Sequence, residues 1–157
     1  MLLFLTQIDM EKYLKDLLIK DLSARLPYGV KFPVECWNDE LLEFNEQAVT
    51  LYSINTDLYC QTLEGDGNIY IEDIKPYLLP LSSMSREQVY SFYLRFVEND
   101  ISFGDFLDYW NTNSLHKVST SIDDCYDVIC FFCENQIDFN NLIPKGLALD
   151  ATGLNIY

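Results

Sequence analysis

Carboxylates are the side chains of this sequence with the clearest chemical potential. No Lys or Arg occurs between Lys31 and Lys75, and ten acids fall in that interval: Glu35, Asp39, Glu40, Glu43, Glu46, Asp57, Glu64, Asp66, Glu72 and Asp73. A field of that sign repels phosphate backbones and attracts basic surfaces. Carboxylates spaced along a small barrel imitate the phosphate spacing of a duplex. The ten acids are therefore the candidate binding surface for a basic protein groove, where charge complementarity acts mainly on association rate and specificity. The plainer reading is solubility, because a net charge of −15 keeps a chain dispersed whatever its task. Trp37, Tyr52, Tyr59 and Tyr70 are the aromatic anchors such a surface would use, or else core residues.

Acid pairs are a second candidate. Asp105 with Asp108, Asp123 with Asp127, and Glu72 with Asp73 are spaced to hold Mg²⁺ or to work as acid and base. However, 25 acids in 157 residues create such pairs by chance. No basic or His partner accompanies them, as a nuclease would need to hold its substrate's phosphates.

Thiols are the third. Cys130 and Cys133 have a CxxC spacing, with Cys125 five residues upstream. A structural zinc site needs two more Cys or His ligands, and a redox CxxC belongs at a helix N-terminus after a strand. This one falls late in an aromatic helical stretch, so it reads as core thiols. His116, the only histidine, stands in the polar connector 112–120 with no nucleophile motif around any Cys or Ser. Glu64-Gly65-Asp66-Gly67 lacks both the Gly-Lys-Ser/Thr ending of a phosphate loop and the ligand ladder of a calcium loop, and reads as a hairpin turn. No metal site and no cofactor is expected.

The elements that must position these groups follow from periodicity. Met10, Tyr13, Leu14, Leu17, Leu18 and Leu22 make an apolar stripe on a helix over 9–26, with Asp9 as N-cap and Pro27 as its stop. Residues 29–74 read as an antiparallel meander of four or five short strands, curled into a small barrel. In its first strand Val30, Phe32, Val34 and Cys36 point inward, and Pro33 marks an edge. Residues 41–46 are ambiguous between strand and helix; 69–74 form a return strand. Residues 75–84 are a connector in which Pro76 and Pro80 forbid regular structure, yet it is apolar enough to lie across both halves. Residues 85–136 are helical. A Ser85–Gln88 capping box opens the first helix, Ser102 caps the second, and Ser121 with Asp124 opens a third whose inner face is Ile122, Cys125, Tyr126, Ile129, Phe132 and Cys133. Residues 137–157 form an irregular tail. The fold class is α+β, with residues 1–157 as one domain.

Three stretches carry a family resemblance: LLIKDLSARLPYGVK (17–31), IKPYLLPLSSMS (74–85) and DFNNLIPKGLALDA (138–151). In this order they resemble a family of small uncharacterised proteins that recurs in gut Bacteroidales genomes, their prophages and their phages. The resemblance runs from about Met10 onward. It departs at Leu79, where a basic residue is common, and in the extension 1–9, which makes Met10 an alternative start. It implies a bacterial or phage cytoplasm and an accessory role, and supplies no catalytic residue.

The composition agrees with a folded cytoplasmic body. Hydrophobic residues make up 49%, with eleven Tyr, ten Phe and two Trp, which a disordered acidic tail would lack. Five cysteines, with no leader pattern, suit a reducing compartment. No stretch is long and apolar enough for a bilayer. The expected function is non-enzymatic binding of a basic protein surface, with no direct nucleic-acid or membrane contact and no oligomeric state specified. The alternatives are a small metal-dependent hydrolase using Asp123, Asp127 or His116, and a structural subunit of an assembly.

Overall fold

The computed structural model describes residues 7–38, 42–55, 57, 59–63, 69–97, 101–112 and 125–157. Helix α1 runs Gln7–Arg25. Leu18 and Leu22 are buried, and Leu14 and Leu17 are half-buried. Met10 and Tyr13 continue the stripe by spacing but lie in solvent, because α1 extends past the sheet that covers its second half. Asp9 is inside the helix rather than at its N-cap. Pro27 tightens the exit into a 3-10 turn, Leu26–Tyr28, closed by Gly29 at φ 66°, a left-handed position that suits glycine.

Four strands follow in the order β1 (Lys31–Asn38), β2 (Glu43–Ile54), β3 (Tyr59–Thr62) and β4 (Ile69–Tyr70). All pairs are antiparallel, and the sheet curls into a half-barrel. The register pairs Phe32 with Val49, and both are buried. Pro33 lies on β1, an edge strand where a missing N–H costs no ladder bond. The ambiguous segment resolves as strand from Glu43 onward, making β2 twelve residues long. The return strand stops at Tyr70, since Ile71–Asp73 turn into a 3-10 helix that buries Ile71 beneath the sheet.

The connector is more regular than its prolines suggest. Between Pro76 and Pro80, β5 (Tyr77–Leu78) pairs in parallel with β6 (Leu149–Asp150), which belongs to the supposedly irregular tail. Prolines flank the strand, so the ladder donors Leu149 N–H and Ala151 N–H come from β6 and its end to the carbonyls of Pro76 and Leu78, at 2.8 Å each. Leu79 then exchanges bonds with the carbonyl of Gln136 (2.9 Å) and the N–H of Asp138 (2.8 Å).

Helices α2 (Arg86–Phe96), α3 (Phe103–Asn111) and α4 (Cys125–Glu134) complete the fold. Ser85 and Gln88 form the capping box, and Ser102 accepts from the Asp105 N–H. Residues 121–124 lie outside the described set. On α4 the buried face is Phe131, Phe132 and Cys133; Tyr126 (75% exposed) and Ile129 point outward, correcting the expected face. Two apolar clusters result. One joins α1, the sheet and Leu142 and Ala148 of the tail; the other is aromatic, built on Phe92, Phe96, Phe106, Trp110, Phe131 and Phe132.

The clusters meet at a buried ion pair. Asp21 and Arg25 lie one turn apart on α1, both side chains 0% exposed. Arg25 Nε donates to Asp21 Oδ2 at 2.6 Å, and Nη2 donates to the Ile137 carbonyl at 2.7 Å. Asn140 Nδ2 donates to Asp21 Oδ1 at 2.8 Å, and the guanidinium lies 5.3 Å from the Phe139 ring centroid. Arg25 Nη1 has no partner among the described residues. Buried charge is tolerated only when its polar atoms are met, and here most are. Arg25→Ala strands Asp21 and is expected to cost about 3–5 kcal/mol in urea unfolding, most of it recovered in the double variant Asp21→Leu/Arg25→Met. A single-variant loss below about 1 kcal/mol would place the pair with exposed ones.

The last residue closes the opposite edge. The Tyr157 hydroxyl accepts from the Lys31 N–H (3.0 Å) and donates to the Tyr77 carbonyl (2.7 Å), bridging β1 and β5. Burial pushes this phenol up to about 12. An unfolded tyrosine titrates near 10. Between those values the native state holds the proton more tightly, so this contribution is complete below pH 10 and is lost as pH rises to 12. The urea midpoint is expected to fall across that window, less steeply in Tyr157→Phe. An equal slope in the variant would show that the phenol is hydrated.

Candidate functional site

The β1–β2 hairpin is rooted in the core by Phe32 and Val49 and becomes exposed beyond them. Glu43, Phe44, Glu46, Gln47 and Ala48 are all exposed, so both faces of β2 are largely uncovered over this stretch. Alternation sets Glu35 on the outer face, directly opposite Glu46. Like charges in that position oppose strand pairing. Phe44 (66% exposed) and Tyr52 (63%) share that face of β2, while Glu43 projects from the other side of the arm. Glu46 Oε1 accepts from the Tyr77 hydroxyl at 2.9 Å; burial, and then this bond, hold the Tyr77 phenol above its ordinary range.

The structure thus brings Glu35 and Glu46 together on one face of the arm and leaves Glu43 on the other. Glu72 stands elsewhere, 2.8 Å from Lys15 of α1, so a base from outside the acidic interval neutralises it. Asp73 beside it and Asp57 in the β2–β3 turn are exposed. Asp39, Glu40, Glu64 and Asp66 lie outside the described residues, as does the Trp37 side chain. Tyr59 and Tyr70 pair with each other, hydroxyls 2.8 Å apart and ring centroids 4.5 Å apart; that hydrogen bond raises the Tyr59 phenol. The sequence reading missed Phe44. Its signal was the period-2 set Phe44, Glu46, Ala48, Thr50 and Tyr52, hidden because Glu46 and Ala48 within it and Asn45 beside it are poor strand formers.

Two of the thiols are packed into the core. Cys133 is buried, and burial raises it; Cys60 is pushed up to about 11 in the same way. An activated thiol requires the opposite shift. Half-buried Cys130 neighbours Tyr28 and Tyr126, and this contact is the chief reason that the Tyr28 phenol is pushed up to about 12. Among the described residues, no group of three His, Cys, Asp or Glu is placed to hold a metal. Asp105 is used by the Ser102 cap, where it accepts at 2.7 Å; Asp108 and Asp127 are exposed. His116 and Asp123 lie outside the described residues. Among the described residues, no helix is long and apolar enough to cross a membrane.

A disulfide-exchange reagent at pH 8 is expected to leave Cys60 and Cys133 unmodified in the native protein and to label them after unfolding, as peptide mapping would show. Fast native labelling of Cys133 would reopen a redox role for the CxxC. No family model, no curated protein and no solved structure matches this chain.

Proposed function

We propose that this protein acts without catalysis, by docking its β1–β2 arm against a basic surface of another protein. The observation that carries the reading is the arm itself: opposed Glu35 and Glu46 with exposed Phe44 and Tyr52 on one face, exposed Glu43 on the other, and no Lys or Arg in sequence from 32 to 74. Aromatic side chains flanked by charge are the usual composition of a binding hot spot and its rim. The Glu35–Glu46 opposition weakens the ladder, and a bound cation would relieve it. Carboxylates held on a strand stand in for phosphates, which suits a partner whose groove is built for nucleic acid. The accessory, phage or mobile-element setting follows from the family resemblance alone.

The test compares two triple variants of equal charge change. Glu35→Gln/Glu43→Gln/Glu46→Gln alters the arm; Asp105→Asn/Asp108→Asn/Asp127→Asn alters the helices. Partners captured from host lysate at low salt are identified, and Kd is measured for the most enriched Lys- and Arg-rich protein. The arm variant is expected to weaken Kd at least tenfold and the helix variant less than threefold, with wild-type binding falling as salt rises. Equal loss in both variants would mean net charge alone, and a captured partner that binds independently of salt would overturn the proposal.

A further inference from the structure

A cleft of about 700 Å³ opens in the helical half, away from the arm. Met84 of the connector, Val89 of α2, Trp110 of α3 and Phe132 of α4 line it, all of them buried. Phe139 joins them, its ring nearly parallel to that of Phe132 (20°) with centroids 5.8 Å apart. A volume of this size falls within the range of small-molecule sites. Its walls offer flat π-faces, which favour a planar aromatic guest in offset or edge-on contact.

Two charged side chains reach the cleft, Arg86 and Asp138. Asp138 is committed elsewhere: Oδ1 accepts from the Leu142 N–H at 2.7 Å and Oδ2 from the Ile143 N–H at 2.9 Å. Arg86 is exposed at the first position of α2, makes no ion pair within 4 Å among the described residues, and rests 6.0 Å from the Phe103 ring centroid. The first turn of a helix adds a positive field at the same place. Asn111 and Asn141 at the walls supply neutral amides. Arg86 is therefore the charged side chain of the cleft left without a hydrogen-bond or ion-pair partner among the described residues, in a protein whose overall charge of −15 repels multiply charged anions.

From this geometry we propose that the cleft binds a small planar aromatic monoanion, its ring against Trp110, Phe132 and Phe139 and its carboxylate or sulfonate on Arg86. The site is independent of the arm.

The probe is 8-anilinonaphthalene-1-sulfonate, compared with its neutral counterpart N-phenyl-1-naphthylamine. In a Trp37→Phe background Trp110 is the sole tryptophan, so energy transfer from it reports occupancy of this cleft. Saturable one-to-one binding with transfer is expected. Arg86→Gln should weaken the sulfonate about tenfold, the loss of one charge-assisted contact, and leave the neutral probe unchanged. Arg86→Lys should retain most of the sulfonate affinity, and Ser82→Phe, at the cleft wall, should weaken both probes. The arm triple variant should bind the sulfonate as the wild type does, which separates this site from the proposed function. Cooperative urea unfolding of each variant confirms that folded protein is being titrated. Absence of saturable binding, absence of transfer from Trp110, or equal sulfonate affinity in Arg86→Gln would overturn the proposal.

Discussion

The fold turns on the buried Asp21–Arg25 pair. A charge pair removed from water is retained only where its surroundings complete its hydrogen bonds. Here they come from residues more than a hundred positions away: the Ile137 carbonyl on the guanidinium and the Asn140 amide on the carboxylate, with the Phe139 ring beside the guanidinium. Helix α1 is therefore docked by polar satisfaction as well as by Leu18 and Leu22. Hydrophobic burial would allow it to slide or rotate on the sheet; the Ile137 carbonyl fixes one register. Gln136 adds a second tie, its Nε2 donating to the Tyr28 carbonyl at 2.9 Å.

That tie explains an unusual helix end. The N–H of Ile137 bonds to the Phe132 carbonyl (2.8 Å) and that of Gln136 to the Cys133 carbonyl (3.1 Å), the double closure normally built around a left-handed glycine. Gln136 holds that position at φ 55°. A residue with a side chain is strained there, by about 1–2 kcal/mol. The strain is offset by what the side chain reaches, since a glycine would leave the Tyr28 carbonyl without this donor. Asp138 follows at once and caps the next turn with both oxygens. The segment 136–143 is thus a dense polar hinge-pin between the sheet-side and aromatic clusters.

Much of this was legible in the sequence. Period-2 alternation in 30–36 and the Ser85 and Ser102 caps are local signals, and they located β1, α2 and α3. What escaped was non-local. β5 and β6 are two residues each and exist only because they pair across about seventy residues; Pro76 and Pro80 made that pairing look impossible, although they sit just outside it. The α4 face was misassigned because Tyr126 and Ile129 satisfy helical spacing as well as Phe131 does, and only the packed partner decides. The acidic interval was plain, but its division was not: that Lys15 would reach Glu72 while Glu35 faced Glu46 depends on where α1 lies. Residues 17–31, 74–85 and 138–151 meet here, through Asp21 and Arg25, through Leu78, and through Phe139, Asn140 and Leu149.

The C-terminal segment also constrains how the chain is made. Leu142 and Ala148 belong to the cluster nucleated by α1 and the sheet, and the Tyr157 hydroxyl spans 126 positions to Lys31. Contacts of such separation form late, after the entropy of closing a long loop has been met. On the ribosome the sheet and α1 emerge well before the segment that completes their core, leaving Arg25, Asp21 and an apolar sheet face hydrated until residues 137–157 have emerged. A chain arranged in this way gains its packed core late in the emergence of these residues, and its strong negative charge would keep neighbouring nascent copies apart during the wait.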